Sequence, residues 1–303
     1  MTSKATKGVY SAAITPVGAD GRPDTQKLTS YCKQIMADGL TGVAPTGTTS
    51  EGNSLPFDWR LKLPAAFAEA GIPTDRAIIG TGSSSADDAA ALTKAGLEAG
   101  YNNALVLPPF YYKNPSDEGV FAYYARLIEQ VGSDSLRIYL YHFPAMSAVP
   151  ISIPLIQRLK QEFGPIIAGL KDSSGDYEGS LAFVGAADDF DVFPSNEGVL
   201  VDGLAKGCGG IISATTQISA SLSKRTLDAT GEEQERLQSL LNDVRQVIAQ
   251  YPLMAAVKQI QVWKTGDDSW TELFPPLVKL SDEQKNTLRA ELEALPEECG
   301  III

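Results

Sequence analysis

Lys171 ends a short apolar run, residues 166–170, and is followed by the polar turn residues Asp172, Ser173, Ser174 and Gly175. If that run is a strand of a parallel barrel, the lysine stands at the mouth where the catalytic groups of such barrels gather. An amine shielded from water is easily deprotonated; it then attacks a carbonyl carbon and forms a Schiff base. The plain alternative is a lysine that leaves its strand into solvent. Gly169 and Lys171 share one face of the strand, and the glycine is expected to leave room for a long side chain or a ligand. Asp172 faces the other way and suits a cap on the following turn.

Other clusters could complete such a site. Gly47-Thr48-Thr49-Ser50-Glu51-Gly52 collects hydroxyls and free N–H groups around a glycine turn, a natural seat for a carboxylate or phosphate. Read alone, it is also an ordinary turn. In Tyr139-Leu140-Tyr141-His142, alternation puts the two tyrosines on one face and Leu140 and His142 on the other. With Tyr141 toward the mouth, His142 is expected to pack against the surrounding helices. Tyr111 and Tyr112 follow Pro108-Pro109-Phe110, and Ser195, Asn196 and Glu197 follow a run at 191–193. Gly209-Gly210-Ile211-Ile212-Ser213 would suit a phosphate, but the one nearby cation, Lys206, lies in the preceding helix. His142 is the only histidine, which argues against an imidazole-rich metal centre and leaves proton transfer to tyrosine, lysine or carboxylates.

The whole chain supports a large core: 303 residues, 44% hydrophobic and 20% charged. A net charge of −12 argues against nucleic acid or an anionic membrane surface as partner. No apolar run reaches the length of a transmembrane helix, and the N-terminus lacks the apolar stretch of a signal peptide. Cys32, Cys208 and Cys299 are odd in number, far apart and without CxxC spacing, which fits a reducing cytoplasmic setting.

Apolar strand-like runs alternate with amphipathic runs along the chain. Strands are expected at 9–16, 42–45, 77–80, 104–107, 137–141, around Lys171, at 191–193 and at 210–213. Helices are expected at 24–37 with Asp24 as cap, 57–70, from Ser84–Ser85 to 98, 116–130, 153–163, after Asp176, 197–205 and from about 220. Gly39, Gly71, Gly100 and Gly164 read as helix ends. Eight strict β/α repeats predict a closed (β/α)8 TIM barrel over residues 1–230. The rival is an open doubly wound sheet, but residues 15–21 after the first strand are not a GxGxxG loop. Helix-patterned residues 232–263, broken near Tyr251-Pro252, and 281–295 predict a C-terminal helical extension over 231–303.

With these pieces in order, the chain resembles the pyruvate-dependent class I aldolase and lyase superfamily of dihydrodipicolinate synthase and N-acetylneuraminate lyase. Gly47-Thr48-Thr49-Ser50-Glu51, Tyr141-His142-Phe143-Pro144 and Gly169-Leu170-Lys171-Asp172 carry the resemblance, with Phe110-Tyr111-Tyr112 between the first two. The resemblance implies that Lys171 forms a Schiff base with the keto group of pyruvate or a pyruvate-derived substrate. It implies that Tyr141 moves protons, that Thr48 and Thr49 hold the pyruvoyl carboxylate, and that Tyr111 or Tyr112 completes a relay, in some members from the next subunit. It also implies a homo-oligomer, tetramer or dimer, and no metal or organic cofactor, since the lysine is itself the electron sink.

Departures bear on the substrate. Ser50 replaces a usual glycine, His142 a usual asparagine, and Met146 stands where the synthases carry a carboxylate-binding arginine. A methionine cannot pair with a carboxylate. The stretch 141–146 looks closer to relatives that cleave 2-keto-3-deoxy sugar acids, and Gly47, Ser173, Ser195, Asn196, Glu197, Ile211 and Ser213 are expected to line the substrate site. The leading expectation is reversible cleavage of such an acid to pyruvate and an aldehyde. The alternatives are 4-hydroxy-tetrahydrodipicolinate synthase or a dehydratase with the same Schiff-base chemistry, and a catalytically silent keto-acid-binding barrel.

Overall fold

A computed structural model describes residues 4–303. Eight parallel strands alternate with helices: β1 (Gly8–Ser11), α1 (Thr25–Ala37), β2 (Gly42–Val43), α2 (Phe57–Glu69), β3 (Ile79–Gly80), α3 (Ala86–Glu98), β4 (Asn103–Val106) and α4 (Asp117–Val131). There follow β5 (Arg137–His142), a single turn α5 (Pro144–Ser147), α6 (Ile153–Phe163), β6 (Ile167–Asp172), α7 (Tyr177–Val184), β7 (Asp191–Pro194), α8 (Leu200–Ala205), β8 (Gly210–Ser213) and α9 (Ala220–Asp228). Helices α10 (Gly231–Ala249), α11 (Leu253–Thr265) and α12 (Asp282–Glu293) complete the chain.

Local chemistry sets the boundaries. Asp24, Ser85, Ser116, Ser152 and Asp176 each accept a backbone N–H at the start of their helix. Strand 1 is shorter than its apolar run suggests, ending at Ser11. Beyond it the chain leaves the ladder toward Pro16, whose ring cannot donate. Helix α8 is shorter than 197–205, because Glu197–Val199 forms a tighter 3₁₀ turn.

Strands β3 to β7 form one ladder, and β8, β1 and β2 another. Two seams join them. Ile78 N donates to Val43 O at 3.0 Å, and Gly209 N donates to Val192 O at 2.8 Å. The ring is therefore a closed (β/α)8 TIM barrel, and its C-terminal helices pack on it as an extension. Tyr10, Tyr139, Phe193, Leu105 and Ile212 fill the interior, while Val9, Leu140, Leu170 and Ile211 face the helices. Leu241, Val257 and Leu288 of the extension belong to the same apolar cluster as Leu28 and Phe67 of the barrel helices. No helix among the described residues is long and apolar enough to cross a membrane.

Candidate active site

Strand β6 places its lysine by means of an irregularity. Ile138 pairs with Ile167, yet Tyr139 pairs with Gly169, so Ala168 is an extra residue in the ladder. A bulge of this kind flips the parity of everything after it. Ile167 faces the helices, and uninterrupted alternation would turn Lys171 outward with it. The extra residue instead sends Leu170 outward and Lys171 into the mouth, opposite Tyr141. Gly169 serves a different purpose from the one expected. A Cβ there would sit 2.2 Å from Asp191 O and 2.9 Å from the Tyr139 ring, so the glycine admits neighbouring protein rather than a ligand.

Lys171 is 3% exposed. Its Nζ lies 3.3 Å from Tyr141 Oη and 4.4 Å from the centre of that ring. Tyr141 Oη is in turn 3.2 Å from Thr48 Oγ1. Amine, phenol and threonine hydroxyl thus form a continuous chain along which a proton can pass. Among the described residues, no carboxylate forms an ion pair with Lys171.

Thr48 belongs to a turn held from several sides. Thr46 and Glu51 adopt left-handed backbone, φ 57° and 60°, and Ser50 does not, which is why serine is tolerated there. Ser50 Oγ donates to Ala13 O at 2.5 Å, and Gly52 N donates to Gly47 O at 2.9 Å. A Cβ on Gly52 would meet Thr46 O at 2.1 Å, so the turn closes only on glycine. Glu51 is fully buried beneath it, accepting from Phe274 N at 2.6 Å and pairing with Lys258 Nζ at 2.5 Å. The C-terminal extension therefore fastens the turn that presents Thr48 and Thr49.

A cavity of about 500 Å³ opens above Lys171, within the range of small-molecule sites. Thr48, Thr49, Tyr141, Phe143, Met146, Ser173, Ser195 and Asn196 line it, as do Ile212 of β8 and Arg245, Leu253 and Met254 of α10 and α11. Gly47 lines a small adjoining pocket beside Thr48 and Tyr141.

Five expected site residues fall elsewhere. Ile211 faces the helices, and Ile212 takes its place on the wall, because side chains alternate along β8. Glu197 and Ser213 are buried behind the cavity rather than on it. Ser213 Oγ donates to Glu197 at 2.7 Å, and Thr215 Oγ1 donates to the same carboxylate. Tyr111 and Tyr112 lie on the loop after β4, 72% and 79% exposed and packed edge-to-face on each other, away from the cavity of their own chain. Arg245 was not foreseen. It sits on a charged amphipathic helix, where a single sequence reads as a solvated face.

His142 takes the outward position expected of it, against Phe183 of α7, with Nδ1 accepting from Ile151 N at 3.0 Å. Burial pushes its pKa below the usual histidine value, partly offset by Asp172. Asp172 caps its turn by accepting from Ser174 N at 2.8 Å and from Ser180 Oγ at 2.6 Å.

Residues 5–295 match the Dihydrodipicolinate synthetase family. The chain belongs to that family and is a lyase. An "Uncharacterized DapA-like lyase" of Chloroflexus aurantiacus is 33% identical over 293 residues, 95% of this chain and 97% of that one. A 4-hydroxy-tetrahydrodipicolinate synthase of Rhodospirillum centenum is 29% identical over 277 residues, 89% of this chain and 93% of its own. Among solved structures, dihydrodipicolinate synthase from Agrobacterium tumefaciens superposes with a TM-score of 0.87 at 29% identity, covering 96% and 99% of the two chains.

Proposed function

We propose that this family member is a class I aldolase that reversibly cleaves a 2-keto-3-deoxy sugar acid to pyruvate and an aldehyde. The observation that carries the reading is the Lys171–Tyr141–Thr48 chain, with the amine buried, free of any carboxylate and open to the cavity. In this reading Thr48 and Thr49 seat the substrate carboxylate. Neutral Lys171 Nζ attacks C2, and loss of one water leaves an iminium. Breaking the C3–C4 bond sends its electron pair into the iminium, giving an enamine, while the C4 hydroxyl proton passes to Tyr141 and the aldehyde departs. The enamine takes a proton at C3, and one water then hydrolyses the Schiff base, releasing pyruvate and restoring the lysine. Ser173, Ser195 and Asn196 on the wall are available to the hydroxyls of the departing half.

The competing reading is 4-hydroxy-tetrahydrodipicolinate synthase, the activity named for the Rhodospirillum relative. Met146, exposed at the cavity rim, supplies no charge for a second carboxylate. We further propose that the protein acts as a homo-oligomer in the cytoplasm, with the Tyr111–Tyr112 loop covered by a second copy. The deciding experiment is intact-protein mass after pyruvate and borohydride. A pyruvate-sized adduct on the wild type and none on Lys171→Ala is expected. An adduct on neither protein overturns the Schiff-base reading.

A further inference from the structure

Among the residues lining the cavity, two are charged, Lys171 and Arg245, and none is acidic. Lys171 is committed to the keto carbon in the reading above. Arg245 comes from α10, beyond the eighth repeat, and meets the cavity beside the ends of β7 and β8. Its Nη1 donates to Ser213 Oγ and Thr215 Oγ1, both at 3.1 Å, and lies 3.8 Å from Glu197. Among the described residues, Nε and Nη2 have no hydrogen-bond partner. The side chain is half-buried at 21% exposed and lines the cavity, so these donors are open to a ligand there.

This is how an anion-binding arginine is prepared. The two hydroxyls and Glu197 hold one edge of the guanidinium and set its plane, which lowers the entropy lost when a ligand binds. The free donors make a fork matched to the two oxygens of a carboxylate. Glu197 offsets part of the charge, but it stands at Nη1, and Ser213 and Thr215 already occupy it. A phosphate is the poorer fit, because no second cation lines this end of the cavity to share its double charge.

We infer that Arg245 binds a carboxylate at the far end of the substrate, so that the aldehyde half is itself an acid. The inference rests on the Schiff-base reading and narrows its substrate class to keto acids with a carboxylate at both ends. It also supplies the cation that Met146 withholds, by a different route through space. Glu197, Ser213 and Thr215 then act as positioning residues for Arg245.

The test pairs 2-oxo acids that differ only in the distal group: 2-oxoglutarate against 2-oxopentanoate, and 2-oxoadipate against 2-oxohexanoate. Each competes with pyruvate for borohydride trapping on wild type, Arg245→Gln and Arg245→Lys, and direct calorimetric titration of the same pairs reads affinity without any adduct. The expected result is at least tenfold stronger binding of one diacid than of its monoacid partner on the wild type. Arg245→Gln removes that difference while keeping the pyruvate adduct, and Arg245→Lys restores part of it. No diacid preference on the wild type overturns the inference, as does a preference that survives in Arg245→Gln. Equal weakening of diacid and monoacid in Arg245→Gln also overturns it, since that is a bracing role alone. Loss of the Schiff-base reading has a separate signature: no pyruvate adduct on the wild type, whatever the titrations show.

Discussion

Lys171 and Lys258 are both buried, at 3% and 0% exposure, and both sit close to the strand-2 turn or its partners. Their surroundings differ in kind. Lys258 Nζ pairs with Glu51 and donates to Glu272 O at 2.6 Å, in a space closed to solvent. Burial pushes its pKa below the usual lysine value, and the Glu51 carboxylate offsets part of that shift. Lys171 has a phenol beside it, no carboxylate, and a cavity in front. A paired ammonium fastens a structure; an unpaired amine with an open approach can attack a carbonyl. Burial alone does not make a nucleophile.

Exchanging these properties is the most direct way to break the comparison. Lys171→Ala should lower turnover by roughly 10⁴-fold or more while leaving the urea midpoint within experimental error of the wild type. A midpoint that falls with activity would mean Lys171 is structural after all. Lys258→Met should do the reverse. It strands a buried Glu51 carboxylate and costs about 3–5 kcal/mol in urea unfolding, and adding Glu51→Gln should recover much of the loss. If the single and double variants are equally unstable, the pair is not what fastens the strand-2 turn.

Smaller effects sharpen the picture on the Lys171 side. Tyr141→Phe should lower kcat by about 10²–10⁴-fold yet still yield the borohydride adduct, since it removes the proton carrier and not the nucleophile. Thr48→Val should lower kcat less, because the phenol remains. Both are read by steady-state kinetics beside the trapping assay.

The smallest effect concerns His142. Its folded pKa lies below the unfolded value of about 6.5, so between the two values the unfolded chain binds more protons. Its contribution to stability is therefore intact above about pH 6.5 and lost as pH falls toward the folded pKa. His142→Asn should flatten the acid side of the Tm–pH curve relative to the wild type. Because His142 is the only histidine, a single imidazole NMR titration reports the shift directly.

Much of the fold was legible because its signals are local. Asp24, Ser85, Ser116 and Asp176 cap helices where their side chains promise to, and the alternation of tyrosines along β5 correctly predicts which of them turn inward. Lys171, Tyr141 and Thr48 were legible as candidates because each stands at the end of an apolar run in an eightfold repeat. The resemblance did not fix which neighbours reach the wall: Ile212 rather than Ile211 faces the cavity, and Glu197 and Ser213 sit behind it.

The sequence by itself determined the repeat, the polar strand ends and the residue types available at the mouth, because all of these depend on neighbours along the chain. Only the tertiary structure decided three further matters. The Ala168 bulge turns Lys171 inward, through pairing with another strand. The Glu51–Lys258 pair ties the strand-2 turn to α11, and Arg245 reaches the cavity from α10. Each of these joins residues far apart in the chain, and their meeting is set by barrel closure and core packing, which no local pattern encodes.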